Sequence, residues 1–502
     1  MKSFITNINY RLILFIFGFL AIINGIFMLI SAGVSWIYKD GSLNHILIAG
    51  GITVLAGIIL MLANKNRRKG IRLREGFLIV TLSWVFMTFV GALPYLISGT
   101  IPHLTDAFFE SMSGFTTTGA TILDDVESLP KGILFWRSFT NWIGGMGMIV
   151  LAIAIFPFFG IGGVQLFSAE SPGPESTKLS PRISETAKRI WVIYVGYTAV
   201  EALLLKFAGM SFFDAINHSM ASLATGGFST KNASLAYWDN KPLIQYIVTV
   251  FMFLGGTNFI LSYYGFKFKF KKIFKNEEFR VYSFLVIGFI AITTLVIFFK
   301  ADPSYDSISH PMVWGAFESS FRHAALQVVS VITTTGFVSA DFSMWTPFLT
   351  ILFLGIMLIG ACAGSTSGGP KVVRYIVLFK HGRQELKQML HPTAILPVRL
   401  NGKRVNPALV SSILSFFTLY LLSFIIGTLV FSWLDLDVLT AMGSAATSLG
   451  NVGPGLGDFG PIGNFSKMPT FGKWWSSFLM LIGRLELFTI FILFSRSYWQ
   501  NR

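Results

Sequence analysis

A single cysteine, Cys362, stands in a chain of 502 residues, so neither an intrachain disulfide nor a cysteine metal cluster can form. Charge is scarce as well: Asp, Glu, Lys and Arg make up 13% of the chain against 53% hydrophobic residues, which excludes a water-exposed globule. Catalytic groupings are missing. The seven histidines (His45, His103, His218, His310, His323, His381, His391) form no HExxH, and no HxxxxD or paired-carboxylate arrangement stands out, so an enzyme is not expected. Gly364 to Gly369 opens like a nucleotide-binding loop, but Pro370 separates it from Lys371 and Val372 stands where a magnesium-binding hydroxyl is required. No nucleotide is expected on this chain.

What is abundant is apolar sequence in long runs. Stretches of about 20 residues, enough to cross a bilayer, occur at Leu12 to Tyr38, His45 to Ala63, Gly76 to Ser98, Ile133 to Phe159, Ile190 to Met210, Leu243 to Phe266, Val281 to Phe299, Phe348 to Leu378, Leu409 to Leu434 and Trp474 to Ser495. The first run is too long for a signal-peptide core and lacks a convincing cleavage site. Most of the 39 Lys and Arg residues cluster at the chain ends and in Lys65 to Arg74, Lys178 to Arg189, Lys267 to Arg280 and Lys371 to Arg404. Cytoplasmic connections retain such residues, so both termini are expected inside. The net charge of +15 is therefore a topology signal and does not imply a nucleic-acid partner; the alternate connections are the more acidic ones and favour cations at a mouth.

Between crossings on that acidic side, a short segment ending in small polar residues and a glycine recurs four times, at intervals of roughly 110 residues. The copies are Thr116-Thr117-Thr118-Gly119, Ala224-Thr225-Gly226-Gly227, Thr333-Thr334-Thr335-Gly336 and Thr447-Ser448-Leu449-Gly450. Thirteen residues before the glycines stand Asp106, Asp214, His323 and Asp437; two before stand Thr117, Thr225, Thr334 and Ser448. The stretches Asp106 to Phe115, Asp214 to Leu223, His323 to Ile332 and Asp437 to Ala446 are too short to span and read as re-entrant half-helices with Asp at the N-cap. One such Thr-Gly pair alone would be a helix-packing surface; four at matched spacing predict a cation filter lined by backbone carbonyls. The expected class is an all-α polytopic membrane protein with four pseudo-symmetric helix–pore loop–helix repeats around one central pore. An N-terminal helix pair (1–75) precedes repeats at 76–170, 171–275, 276–395 and 396–502. The filter set is Thr117, Thr118, Gly119, Thr225, Gly226, Gly227, Thr334, Thr335, Gly336, Ser448, Leu449, Gly450 and Asn451.

Repeat three carries an interruption, Gly360 to Pro370, that cannot continue as helix. Its small, flexible residues suit a gate beneath the filter, and Gly364, Ser365, Thr366, Ser367, Gly368 and Gly369 form its centre; a packing kink is the plainer alternative. Arg484 lies near mid-membrane in the last helix, where a cation costs about 2.5 to 3.5 kcal/mol. It either pairs with a buried acid or loop carbonyls, or grips the gating loop and repels ions below the filter. Glu486, two residues on, faces another side. Glu201 and Glu486 are the acids that could carry protons in a coupled transporter.

These residues resemble the Trk/Ktr/HKT superfamily of potassium transporters, most closely its TrkH-type membrane subunits. The likeness covers essentially the whole chain: TTTGAT (Thr116 to Thr121), ATGGFS (Ala224 to Ser229), TTTGF (Thr333 to Phe337), SLGNVGPGLG (Ser448 to Gly457), the stretch Gly162 to Pro174 and Gly483-Arg484-Leu485-Glu486. The extra helix pair before Gly76 favours the TrkH type over the shorter KtrB type. His323 in place of an acidic cap and Leu449 in place of a small residue depart from the pattern. The resemblance implies potassium, K+, as the transported ion, preference over sodium, and an intramembrane gating loop; a short filter of four unlike strands makes that preference moderate. It implies a multi-pass protein of the bacterial plasma (inner) membrane in contact with membrane lipid. It further implies a homodimer working with cytosolic TrkA-type regulatory subunits that bind NAD or ATP. The basic stretches Lys267 to Arg280 and Lys371 to Arg404 are candidate docking faces. A sodium- or proton-coupled symporter is the alternative.

Overall fold

The computed structural model describes residues 8–66, 73–145, 183–300, 310–394 and 396–500. Two helices, α1 (Tyr10–Tyr38) and α2 (Leu43–Ala63), form an N-terminal hairpin. Its outer faces are apolar and exposed, as lipid-facing surface must be: Trp36, Leu55 and Leu62 lie more than 60% open. The hairpin packs on α3 (Leu73–Gly91) and on α5 (Lys131–Gly145), where Asp40 Oδ2 accepts from the Gly132 amide at 2.6 Å.

The remainder repeats one theme. A long helix is followed by a short one, an extended strand and a second helix. The sets are α3, α4 (Leu104–Phe115) and α5; α6 (Ile183–Phe207), α7 (Phe212–Leu223) and α8 (Pro242–Gly255); α10 (Glu277–Lys300), α11 (Ala316–Ile332) and α12 (Pro347–Met357); α14 (Pro407–Trp433), α15 (Val438–Gly450) and α16 (Thr470–Arg484). The long helices are predominantly apolar and present residues such as Phe284, Ile287, Leu421 and Leu429 outward. Short helices are almost wholly buried after their first turn. Among the described residues six helices are long and apolar enough to cross a membrane, or up to eight counting bent pairs, against the ten runs read from the sequence.

The difference lies in the second helices. In the second and fourth repeats this helix is broken: α8 gives way to α9 (Phe259–Phe266) through a 110° bend, and α16 to α17 (Phe488–Phe494) through one of 114°. Between α12 and α13 (Val372–Leu390) runs the irregular segment 358–371. The runs Leu243 to Phe266 and Trp474 to Ser495 are thus broken rather than single helices; Gly255-Gly256 and the positive φ of Glu486 and Leu487 mark the breaks. The second helix of the first repeat ends at Gly145 among the described residues, and Gly162 to Pro174 lies outside them. A two-residue hairpin, β1 (Arg399–Leu400) against β2 (Lys403–Arg404), joins α13 to α14.

The short helices begin differently from expectation. Only Asp437 caps its helix, accepting from the Leu439 and Thr440 amides at 3.0 and 3.2 Å. Asp214 lies inside the first turn of α7, where Ser211 is the cap and donates back to its carboxylate at 2.6 Å. Asp106 likewise sits within α4 and accepts from Lys473 Nζ at 2.7 Å. His323 is in mid-helix, because α11 starts at Ala316. A carboxylate one turn inside a helix still favours its N-terminal dipole, so the sequence signal was real but the boundary was not.

Candidate functional site: a four-strand ring closed from below

At the end of each short helix the backbone turns the same way. Thr117, Thr225, Thr334 and Asn451 have φ of 54°, 52°, 56° and 54°. Two residues later Gly119, Gly227, Gly336 and Gly453 have φ of 82°, 68°, 84° and 110°. The residues between carry matching bonds to the carbonyl five positions back: Thr118 to Ser113 (2.9 Å), Gly226 to Ala221 (2.8 Å), Thr335 to Ser330 (2.8 Å) and Val452 to Thr447 (3.0 Å). Left-handed geometry at β-branched threonines costs of order 1–3 kcal/mol each and persists only where the surroundings impose it.

This register corrects the fourth copy. Ser448, Leu449 and Gly450 belong to α15 and are fully buried in it, and the glycine equivalent to Gly119 is Gly453. In this register the helix ends one residue later than its counterparts, and Thr447-Ser448-Leu449 imitates the other strands in composition while remaining helical. Asn451 is the only one of the expected fourth-copy residues at a strand position, and Leu449 no longer breaks any pattern.

The glycines explain themselves by what surrounds them. A methyl group placed on Gly119 would strike the carbonyl oxygen of Gly226. One on Gly227 would strike that of Thr335, one on Gly336 that of Val452, and one on Gly453 that of Thr118, all at under 3.0 Å. The contacts run from first strand to second, third and fourth, then back to the first. Four unlike segments therefore close a ring, with each glycine beside its neighbour's carbonyl.

Buried polar side chains hold the strands from behind. Glu110 accepts from the Ile122 amide (3.0 Å), Thr121 Oγ1 (2.9 Å) and Arg137 Nε (2.6 Å). Arg137 also donates to Ser229 O at 2.9 Å and lies 3.6 Å from the Phe228 ring centre, tying the first repeat to the second strand. At the position equivalent to Glu110, His218 reaches Ser229 Oγ (3.0 Å) and Gln327 donates to Ala340 O (2.7 Å). The sequence reading missed these residues. Their signal was charge and amide groups inside apolar runs, which are costly in a bilayer unless paired.

On the mouth side, adjacent loops are laced together. Phe465 N donates to Thr121 O at 2.8 Å, and Asn464 and Ser466 donate to Asp124 Oδ1 at 2.9 and 2.8 Å. Those two bonds hold the Asp124 carboxyl below the ordinary carboxylate range. Lys231 bonds Glu127 at 3.1 Å across the first and second repeats.

Below the ring, the interruption in the third repeat meets every strand-turn residue directly or through Arg484. Gly368 N donates to Thr334 Oγ1 at 2.7 Å, and Thr225 Oγ1 donates to Thr366 Oγ1 at 3.2 Å. A methyl on Gly368 would fall 2.8 Å from Asn451 Cβ. Arg484, at the C-terminus of α16, donates to Thr117 Oγ1 (3.1 Å), Thr366 O (2.8 Å) and Gly144 O (2.5 Å). Ser365 Oγ donates to Cys362 O at 2.6 Å, Gly364 O accepts from Phe259 N at 3.1 Å, and Ser367 receives Lys371 Nζ. Gly369 takes a φ of 69° and packs on Gly360. The segment thus lies across the lower opening.

The candidate proton carriers differ in setting. Glu486 is ion-paired to Arg374, whereas Glu201 is fully buried with Ser222 as its polar neighbour. Lys371 and Arg374 are buried too, so the basic stretch starting at Lys371 presents surface charge only further along.

Comparison with known proteins agrees with this architecture. The profile of the family described as TrkH, cation transport protein, matches residues 42–501. The chain is 41% identical over 497 residues to the Trk system potassium uptake protein TrkH of Escherichia coli (strain K12), covering 98% of this chain and 100% of that one. It is 34% identical to the Trk system potassium uptake protein TrkG of the same strain, covering 98% and 99%. The crystal structure of the potassium transporter TrkH from Vibrio parahaemolyticus superposes with a TM-score of 0.85 at 36% identity, over 98% of this chain and 100% of that one. On sequence and fold together, this chain belongs to the TrkH family of cation transport proteins.

Proposed function

We propose that this chain takes up potassium through a pore whose selectivity filter is the ring at Thr117–Gly119, Thr225–Gly227, Thr334–Gly336 and Asn451–Gly453. The observation that carries this is the cyclic contact of each glycine with the next strand's carbonyl. Glycines with positive φ leave carbonyls unobstructed toward a common axis, where they replace an ion's water shell. Short-helix C-termini add partial negative charge on the same side. The four repeats are read at 76–170, 171–275, 276–395 and 396–502, after the N-terminal pair at 1–75.

Segment 364–369 and Arg484 constitute the gate, a reading supported by their contacts with Thr117, Thr225 and Thr334. Both termini face the cytoplasm of a bacterial inner membrane, in agreement with the basic clusters. The chain works as a homodimer with cytosolic nucleotide-binding subunits of the TrkA type, as its resemblance to TrkH-type subunits implies.

Potassium uptake is tested by growth at limiting potassium in a host stripped of its own uptake systems and supplied with a matching regulatory subunit. An inside-negative potential drives entry with about 2.3 kcal/mol per charge per 100 mV. Rescue is expected, with a reversal potential that follows potassium alone and ignores pH; failure to rescue despite confirmed membrane expression counts against the assignment, and a pH-following reversal potential points to coupling through Glu201.

A further inference from the structure

Away from the ring, on its mouth side, three side chains of metal-binding type meet in the interior. Asp239 follows the 3-10 turn Ser234–Trp238 of the second repeat's outer loop, His310 precedes α11, and His323 lies within α11. All three are buried, and one donor atom from each lies within 4.8 Å of the other two. His310 Nδ1 is 2.5 Å from Asp239 Oδ2, and the two imidazole rings stand 4.4 Å apart between centres. We propose that Asp239, His310 and His323 form a binding site for a divalent transition metal of the Zn2+ class, joining the outer loop of the second repeat to the short helix of the third.

Two imidazoles and one carboxylate are the donor set such an ion takes, with water as a fourth ligand. His323 supplies the independent sign of a ligand. The residue is 1% exposed, and Nε2 has no hydrogen-bond partner among the described residues. Its other nitrogen, Nδ1, meets Ser339 Oγ at 2.9 Å. With Nδ1–H donating to that hydroxyl, the Nε2 lone pair is left for a metal, and the ring is held by the outer bond that metal-bound histidines usually make. His310 Nδ1 and Asp239 Oδ2 lie closer than the roughly 3.3 Å ligand separation implied by bonds near 2.1 Å, while the set as a whole fits within 4.8 Å, so small ring rotations are needed to complete the site.

Charge permits the ion. Arg322 stands closest, 3.4 Å from Asp239 Oδ1, but it is also paired with Glu318 at 3.1 Å and donates to Gln245 Oε1 at 2.5 Å. The two carboxylates and one guanidinium leave a single negative charge beside two neutral imidazoles, and a dication turns that into a single positive one. Binding also reaches the filter: Ser339 lies three residues beyond Gly336, and Leu235 N bonds Val338 O at 2.9 Å in the same crossing of loops.

The test uses the full chain purified in detergent and titrated with Zn2+ calorimetrically and with Co2+ by its visible absorption. One ion per chain is expected, with His323→Gln and His310→Gln each weakening binding at least tenfold while elution and thermal unfolding stay normal. Ser339→Ala should weaken it less. In liposomes, Zn2+ on the mouth side should alter potassium flux in the parent and not in His323→Gln. Absence of saturable binding, or binding unchanged in both histidine variants, overturns the proposal. Should His323→Gln fail to fold, His310→Gln decides the matter, because His310 lies in the entering chain rather than in a helix.

Discussion

At the scale of single residues, the filter's tolerance is set by where a Cβ would go. Gly453 has φ of 110° and a Cβ there would meet Thr118 O, whereas Gly450 is helical and a Cβ there would lie 2.9 Å from Met357 O. Gly453→Ser should therefore lower potassium-over-sodium permeability by about tenfold or more, equivalent to 1.4 kcal/mol, as should Ser at Gly119, Gly227 or Gly336. Gly450→Ala should instead reduce protein abundance with the permeability ratio kept. Bi-ionic reversal potentials separate the two outcomes, and a ratio lost at Gly450 but kept at Gly453 would restore the unshifted register. Arg484 differs in kind. It donates to Thr117, Thr366 and Gly144, and its charge repels a cation about 6 Å away by roughly 2.8 kcal/mol at an effective dielectric of 20. Arg484→Ala should raise conductance and weaken dependence on the regulatory subunit. Arg484→Lys should keep the barrier but lose the fork that spans three acceptors. Single-channel recording decides: an Ala variant that folds and conducts no better than the parent leaves Arg484 a structural anchor.

At the scale of elements, short helices and broken helices answer one problem. A chain leaving helical geometry inside a bilayer must satisfy its backbone within the protein. The interruption between α12 and α13 does so by bonding Cys362 N to Gly256 O (3.0 Å), Ala363 N to Glu278 (2.7 Å) and Gly368 N to Thr334 (2.7 Å). Removing residues within 364–369 withdraws the contacts to Thr225, Thr334 and Arg484 and should increase ion flux severalfold, measured as potassium efflux from liposomes. A folded deletion that conducts less than the parent would make the segment a support for the strands. The half-helices were legible from sequence because short apolar stretches ended in polar residues and glycine. Their starts were not, since a helix beginning depends on which side chain reaches the free amides. Ser211 does so in one copy and Asp437 in another.

At the scale of the whole molecule, the ring sits between two packed interiors. One joins the N-terminal hairpin to the first and fourth repeats, and the other joins the second, third and fourth. Charge on the face opposite the mouth is divided between internal and external uses. Lys371 and Arg374 are buried, and Lys380 bonds Glu277, while Lys271, Lys272 and Arg383 are exposed. Docking of an acidic regulatory ring should therefore depend on the second group. Reversing Lys271, Lys272 and Arg383 together should lower copurification of the partner by about tenfold at physiological salt, with membrane abundance unchanged; an unchanged yield removes these residues from the interface.

The sequence by itself determined that the chain lies in a membrane, because apolar runs of that length have no other stable solvent. It also determined that a unit recurs four times and that Arg484 needs acceptors at depth, since both follow from residue type and spacing alone. Only the tertiary structure decided which glycine closes the ring. Thr447-Ser448-Leu449-Gly450 carries the composition of a strand, yet it stays helical because Gly453, three residues on, is the glycine with room beside Thr118 O and no tolerance for a Cβ. It also decided that Glu110, Arg137, His218 and Gln327 stand behind the strands, and that Asp239, His310 and His323 converge. Such meetings join residues far apart in the chain, and local pattern carries no record of them: they exist only once four repeats have packed around a common axis.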